Sequence, residues 1–117
     1  MRWRDLKKCL EKGVVLHPKV LKALKKVAPH VPNLTTKLFI LTPEKDTLGS
    51  VFRYDGITMY LHPTLYRSAQ YEIEFTIAHE FAHIVLEHLK KPAGRRVERE
   101  ADALARKWGF DTPIAYH

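Results

Sequence analysis

The stretch that decides the fold is His79-Glu80-Phe81-Ala82-His83, which lies inside an apolar segment running from Tyr71 to Leu89. Apolar side chains recur there at three- and four-residue steps, which predicts a helix with a wide buried face and the two histidines at its margin. Residues four apart lie on one face of a helix, so both imidazoles can reach one metal ion. This H-E-x-x-H spacing predicts a zinc site, with Glu80 placed to act as a base.

A second helix, predicted from Val97 to Trp108, carries two carboxylates one turn apart. If it packs beside the first helix, Glu98 can supply the third protein ligand of the metal. Asp102 can then hydrogen-bond a metal-binding side chain on the side away from the metal. The segment from Lys90 to Gly94 contains a Pro and a Gly, which predicts a tight reversal between the helices. Residues 71–108 are therefore expected to form a zinc-binding helical hairpin.

Glu100 competes with Glu98 for the role of third ligand. A shift of two residues turns a side chain by about 200° around a helix, so only one of the two can face the metal. We favour Glu98, because Asp102 follows it one turn later, whereas Leu104 follows Glu100. His88, five residues beyond His83, is expected to point away from the site.

The H-E-x-x-H motif followed by E-x-x-x-D resembles the gluzincin clan of zinc metallopeptidases. The E-x-x-A-D form is similar to the catalytic domains of membrane-embedded prenyl-protein and heat-shock metalloproteases, and the chain length resembles the soluble archaeal minigluzincins. The motifs cover residues 71–108, and the upstream half is similar only in the order of its elements. The resemblance implies Glu80 as catalytic base and acid, with Asp102 supporting a ligand. The ligands that it implies for one zinc ion are His79, His83 and Glu98.

A second resemblance is to the peptidase-like regulators of mobile elements and damage responses. Their second motif has the form E-R-E-A followed by Asn, and here Asp102 stands at the Asn position, which favours the peptidase side. Two functions follow: a zinc endopeptidase, or a regulatory or protein-interaction module on the same scaffold with little hydrolysis. The intact Glu80 favours the enzyme, whereas the small size favours the module.

Peptide hydrolysis accounts for these residue types. Three protein ligands leave one zinc position to water, whose pKa then falls toward neutrality, and Glu80 can accept its proton and pass it to the departing amine. Such enzymes often add a side chain that shares the charge of the oxyanion. The sequence does not choose among the candidates for this role, which are His62, Tyr66, Arg106, Tyr116 and His117.

The 117 residues, 45% of them hydrophobic, are enough for one core and predict a single domain over residues 1–117. The single cysteine, Cys9, excludes an internal disulfide framework and fits a reducing compartment. The N-terminus lacks the apolar core of a signal peptide, and no window reaches about 18 uninterrupted apolar residues. We therefore expect a cytoplasmic protein without a membrane span.

The upstream half predicts helices followed by strands. Helices are expected at Arg2 to Lys12 and His17 to Ala28 within a basic part, residues 1–37. Strands are expected within residues 38–62, beginning at Lys37 to Leu41; the other two, Ser50 to Tyr54 and Ile57 to Leu61, are joined by an Asp55-Gly56 hairpin. Followed by the metal helix and the glutamate helix, this order predicts a small α+β zincin. An exposed hairpin strand beside the zinc cleft can pair with an extended peptide.

Charge is concentrated at the start of the chain. Residues 1–37 carry ten Lys or Arg against two acids, net +8, and residues 38–117 carry ten against eleven, net −1, which sum to +7. Four lysines, at 19, 22, 25 and 26, share one predicted helix face. Because no nucleic-acid motif or aromatic platform accompanies them, we expect solvated lysines, and a peptide or protein rather than nucleic acid as the partner.

The tail, residues 110–117, ends in a carboxylate beside the imidazole of His117. Either group can cap an open zinc position, which would make the enzyme latent. The alternative is a frayed terminus, and we favour it.

Overall fold

Four α-helices and a three-stranded sheet form the part of the chain that the computed structural model describes. That part comprises residues 1–10, 16–32, 34, 37–41, 49–53, 57–61, 63–87 and 94–111. The helices are α1 (Trp3–Cys9), α2 (Pro18–Val27), α3 (Gln70–Val85) and α4 (Arg95–Lys107), and the strands are β1 (Leu38–Leu41), β2 (Gly49–Arg53) and β3 (Ile57–Leu61). Short 3-10 helices lie at Ala28–His30 and Pro63–Arg67. None of the helices in these ranges is long and apolar enough to cross a membrane.

The sheet has the strand order β1-β3-β2, so the last strand in sequence lies at its centre. β1 runs parallel to β3, with Leu38 opposite Ile57, and β2 runs antiparallel to β3, with Val51 opposite Met59. The strands lie within one residue of the three predicted segments. Residues 54–56, which include the predicted hairpin turn, lie outside the described residues. The antiparallel pairing leaves β2 at an edge of the described sheet, while β1 is extended at Leu38 by a parallel bridge to Leu10.

Helix α3 lies at the centre of the molecule. Every residue from Ile73 to His83 is buried, because α2 and α4 both pack against this helix and β2 contacts it as well. The prediction of a single apolar face with histidines at its margin was therefore wrong. Glu74, His79 and His83 contact polar partners on α2 and α4, which is why periodicity alone did not reveal their burial. With a radius of gyration of 13.1 Å, the chain is as compact as expected for one domain of about this length.

Two lysines of α2 connect this helix to α3 and to the segment that precedes α3. The ammonium of Lys26 lies 3.2 Å from the buried carboxylate of Glu74. The ammonium of Lys19 donates to the backbone carbonyls of Tyr66, at 3.2 Å, and Ser68, at 3.3 Å. The prediction of four solvated lysines on this helix is therefore wrong for Lys19 and only partly right for Lys26.

The N-terminal segment packs on the end of α2. Leu6 of α1 is fully buried, and the Met1 ammonium donates to the carbonyls of Ala28 and Val31. The thiol of Cys9 donates to a backbone carbonyl 25 residues away, at 3.4 Å, and burial, assisted by the nearby carboxylate of Asp5, raises its pKa. A raised pKa disfavours the reactive thiolate, which agrees with a packing role for this cysteine.

We expect truncation of α3 in the core to destabilise the protein strongly. Ile77 is fully buried, so Ile77→Ala should lower the free energy of unfolding by about 2 to 5 kcal/mol through lost burial and the cavity left behind. Tyr71, 48% exposed on the same helix, provides the control: Tyr71→Ala should change it by less than about 1 kcal/mol. Urea unfolding followed by circular dichroism measures both, and equal losses would contradict the central placement of α3.

Candidate metal centre

Helices α3 and α4 pack antiparallel and bring the two sequence motifs together. Near the end of α3, His83 Nε2 lies 3.3 Å from Glu98 Oε1, near the start of α4. One turn earlier in α3, His79 Nδ1 lies 2.6 Å from Asp102 Oδ1, one turn later in α4. This is the arrangement of the predicted helical hairpin, although residues 88–93, where the reversal was predicted, lie outside the described residues.

Two imidazole nitrogens and one carboxylate converge between the helices. His79 Nε2 lies 2.8 Å from Glu98 Oε2 and 3.0 Å from His83 Nε2. The two imidazole planes are nearly perpendicular, at 86°, so their nitrogens approach one point from different directions. The ligand atoms of the three residues all lie within 4.8 Å of one another, and the group can hold a metal ion. Both histidines are buried, whereas 43% of the Glu98 side chain is exposed, so the cluster opens toward solvent on the glutamate side.

The donor and acceptor atoms of this cluster are arranged so that a cation can lie between them. Asp102 in its carboxylate form only accepts hydrogen bonds, so the short contact assigns a proton to Nδ1 of His79. In the neutral ring, Nε2 then presents a lone pair toward the Glu98 carboxylate, which accepts hydrogen bonds, and toward His83 Nε2, which can donate or accept. Acceptors turned toward one another repel unless a proton or a metal ion lies between them. The donor set and its geometry therefore fit a bound divalent cation.

Glu100, the competing carboxylate, lies elsewhere on α4. It forms an ion pair with Arg96 one turn earlier, at 3.4 Å, on the outer surface of the helix. Of the two glutamates, the structure brings only Glu98 to the histidines, as the helical-turn argument predicted. His88 lies outside the described residues.

Glu80 lies next to the cluster in an apolar environment. The residue is only 7% exposed, on the buried helix α3. Burial raises the pKa of its carboxyl from 4.5 to about 7; the neighbouring His79 opposes this rise, and Glu98 adds to it. A carboxyl group with a pKa near neutrality is suited to exchange protons at physiological pH.

Two of the oxyanion candidates have other contacts. The guanidinium of Arg106 lies 5.4 Å from the ring centroid of Phe75 and 3.0 Å from the carboxylate of Asp111. Tyr66 stacks on His17 with ring centroids 4.7 Å apart. The remaining candidates, His62, Tyr116 and His117, lie outside the described residues, so the choice among the five stays open.

Phe75 has a place in the site that the sequence analysis did not assign. Its ring centroid lies 6.3 Å from that of His79, four residues later in the same helix, so the two rings are neighbours. The spacing of four residues between Phe75 and His79 indicates such a contact, but Phe75 was predicted only as part of the apolar core. The ring supports the imidazole from the side of the preceding turn.

The last helix stops where the sequence predicted. Gly109 adopts a positive φ of 97°, and the amides of Gly109 and Phe110 donate to the carbonyls of Arg106 and Ala105, which caps the end of α4. Residues 112–117 lie outside the described residues. Latency through the C-terminal tail therefore stays a prediction.

An H-E-x-x-H helix packed against a glutamate helix, beside a small sheet, defines a metallopeptidase-like class of protein. Residues 38–111 match the family model Peptidase_M78, described as the IrrE N-terminal-like domain. The match covers more than half of the chain, and the protein belongs to this family. Comparisons with curated proteins and with solved structures gave no match. The narrower likeness to gluzincins and minigluzincins stays a prediction.

Glu80 should give the metal-free protein a specific pH dependence. Below about pH 4.5 the Glu80 carboxyl is protonated in both the folded and the unfolded protein. Between about pH 4.5 and 7 the unfolded chain has released this proton, whereas the folded protein retains it. Raising the pH across this window therefore lowers the free energy of unfolding. Glu80→Gln removes this loss, so its stability relative to wild type should rise across the window, by about 3 kcal/mol in all.

Urea unfolding of both proteins in the presence of a chelator, at several pH values, measures this difference. The same series with Glu87→Gln, an exposed glutamate just beyond α3, controls for the substitution itself. A stability difference between Glu80→Gln and wild type that does not change with pH would show that Glu80 is not buried as an acid.

Proposed function

We propose that this protein is a zinc-dependent peptidase that hydrolyses peptide bonds, with one zinc ion bound by His79, His83 and Glu98. The observation that carries the proposal is the convergence of the three side chains, two of them buried, with a protonatable carboxyl group beside them. Membership in a peptidase family supports the same reaction class. The proposal extends to zinc because two imidazoles and one carboxylate form a donor set typical of catalytic zinc sites.

Zinc and the side chains around it would have separate roles in peptide hydrolysis. Bound zinc would supply a Lewis acid that activates water and polarises the scissile carbonyl. His79 is held in one orientation and one tautomer by Asp102, which keeps its Nε2 lone pair directed at the cluster. Glu80, with a pKa of about 7 before a cation binds, would take the proton of the attacking water and return it to the leaving amine.

An extended peptide is the substrate shape that the sheet favours. β3 is paired on both sides, so the predicted substrate-binding hairpin has only one edge left within the described residues, the outer edge of β2. β2 also contacts α3, the helix that carries His79 and His83. A peptide paired with β2 through main-chain hydrogen bonds would therefore run beside the metal centre, with little demand on its side chains.

A regulatory role is the second candidate. Members of IrrE-like families can be regulators, and a regulator can use a metallopeptidase domain for recognition or for one limited cleavage. The intact cluster and the buried Glu80 favour hydrolysis as part of either role, because a purely structural scaffold gains nothing from a buried acid. Cleavage of a general substrate by the zinc-loaded protein would distinguish the peptidase from the regulatory role.

Zinc binding should depend on Glu98 and not on Glu100. Glu98→Gln removes a charged ligand, so we expect zinc affinity to fall by at least about 100-fold, which exceeds the usual loss when a residue behind a ligand is removed. Glu100→Gln, an identical change two residues away on the outer surface of α4, is the matched control and should bind zinc like wild type. Competition with a chromophoric chelator measures all three affinities.

A wild-type protein that binds no stoichiometric zinc would overturn the proposed metal centre. Equal zinc affinities of Glu98→Gln and wild type would remove Glu98 from the ligand set. Loss of binding in Glu100→Gln alone would transfer the role to the competing glutamate.

Hydrolysis should require Glu80. With zinc content matched, Glu80→Gln should reduce the rate of cleavage of unfolded casein by about 100-fold or more, because it removes the proton acceptor. Glu72→Gln, on the first turn of the same helix, should keep wild-type activity. Release of labelled casein fragments measures the rates. If zinc-loaded wild type and Glu80→Gln are equally inactive, the regulatory role replaces the general peptidase.

A further inference from the structure

Helices α1 and α2 present a solvent face that is almost entirely basic. Five exposed side chains form it, and we name them the basic face: Arg4, Lys7, Lys8, Lys22 and Lys25. On each helix these residues recur at one- to four-residue steps opposite the buried positions, which are Leu6 on α1 and the stripe from Val20 to Val27 on α2. The charge concentration of residues 1–37 is therefore a surface of the folded protein.

The two helices meet near the end of α2, where α1 contacts the 3-10 helix that follows it, so their basic residues lie on neighbouring parts of the surface. The ammonium of Lys25 lies 6.0 Å from the ring centroid of Trp3, which links α2 to the first residue of α1. The Met1 ammonium donates to the carbonyl of Ala28, at 3.0 Å, directly after α2. The one acidic residue on the two helices, Asp5, lies 3.6 Å from Arg2 and so has a counterion of its own.

The basic face can be separated from the lysines that support the fold. Lys19 binds backbone carbonyls and Lys26 binds Glu74, so both contribute to the packing of α2. Lys7, Lys8 and Lys22 form no ion pair among the residues that the structure describes. Within the described residues their charges have no role in the fold, and keeping such charges together raises the electrostatic free energy of the folded chain.

The chemistry of the surface selects among anionic partners. A helix that inserts into a membrane surface presents large apolar side chains on the face that it buries, and a protein interface has apolar or aromatic anchors at its centre. Among the described residues the only exposed large hydrophobic side chain is Tyr71, which lies on α3 and not on these helices. A surface with charge and no apolar anchor fits a regularly spaced phosphate backbone.

The basic face and the metal centre lie on different sides of α3. Helix α2 contacts α3 through Glu74, which precedes His79 by five residues and therefore lies about 140° from it around the helix. His79 faces α4 instead, through Asp102. A partner seated on the basic face would leave the histidine cluster accessible.

We propose that the basic face of α1 and α2 binds the phosphate backbone of nucleic acids without sequence preference, on a side of the molecule separate from the metal centre. The sequence alone favours solvated lysines and no nucleic acid, because no recognition motif is present. Backbone binding needs no such motif, since phosphate contacts supply affinity and not sequence readout. The proposal does not depend on peptidase activity.

Fluorescence anisotropy with labelled DNA tests the proposal. The probes are a duplex of about 20 base pairs and a single strand of the same length, each titrated at several NaCl concentrations with wild type and two variants. The first variant neutralises the basic face: Lys7→Gln, Lys8→Gln and Lys22→Gln. The control variant makes the same charge change at exposed positions elsewhere: Arg67→Gln, Arg95→Gln and Lys107→Gln. Circular dichroism and urea unfolding check that both variants are folded.

We expect wild type to bind DNA with an affinity that falls steeply as salt rises. The basic-face variant should bind at least about tenfold more weakly near 100 mM NaCl, and the slope of log affinity against log salt should be smaller by about 3. The control variant should lose less than about threefold. Zinc content should be equal in all three proteins, which separates this result from the metal-centre proposal.

Three results would overturn the proposal. The first is the absence of saturable wild-type binding to either DNA at about 50 mM NaCl. The second is an equal loss of affinity in the two variants, since net charge alone would then explain binding. The third is binding to vesicles of phosphatidylserine and phosphatidylcholine, at about 3:7, without binding to DNA, which would assign the surface to an anionic membrane.

Discussion

The contact between His79 and Asp102 is the constraint on which the rest of the structure depends. It joins α3 to α4 at a buried position, over 2.6 Å, and a buried carboxylate is tolerated only where such a hydrogen bond compensates its lost hydration. It also decides which nitrogen of the imidazole carries the proton. The outer nitrogen then faces Glu98 and His83, and the three residues form a donor set that can hold a cation. One hydrogen bond thus contributes both to the packing of the two helices and to the orientation of the cluster.

The site could be predicted from the sequence because helical spacing is a geometric rule. Residues one turn apart share a face, so His79 and His83 on one helix and Glu98 and Asp102 on another predicted which side chains meet. The same rule separated Glu98 from Glu100, whose ion pair with the preceding turn the structure now shows. The raised pKa of the Glu80 carboxyl could not be predicted from helical spacing, because it depends on how far the whole fold buries this side chain.

The remainder of the fold was predictable in its elements and not in its arrangement. Strand patterns located β1, β2 and β3 to within one residue, but strand order depends on which pairs bury more surface, so the central position of β3 could not be inferred. The lysines of α2 illustrate a second limit. Lys19 and Lys26 have the same helix periodicity as Lys22, yet they contact carbonyls and a carboxylate 47 to 49 residues away, which only the tertiary structure brings close.

Burial of Glu80 beside the proposed metal ligands would couple stability to cation binding. In the metal-free protein, ionising the buried carboxyl group of Glu80 costs stability as the pH rises toward 7, because its pKa is raised in the folded state. A divalent cation bound beside Glu80 would lower this cost, because its charge attracts the carboxylate. Any species that binds only the folded state stabilises it in proportion to the logarithm of its concentration over its dissociation constant. A cation held by the cluster would therefore stabilise the folded state, which matters for a domain of this size because it has little stability to spare.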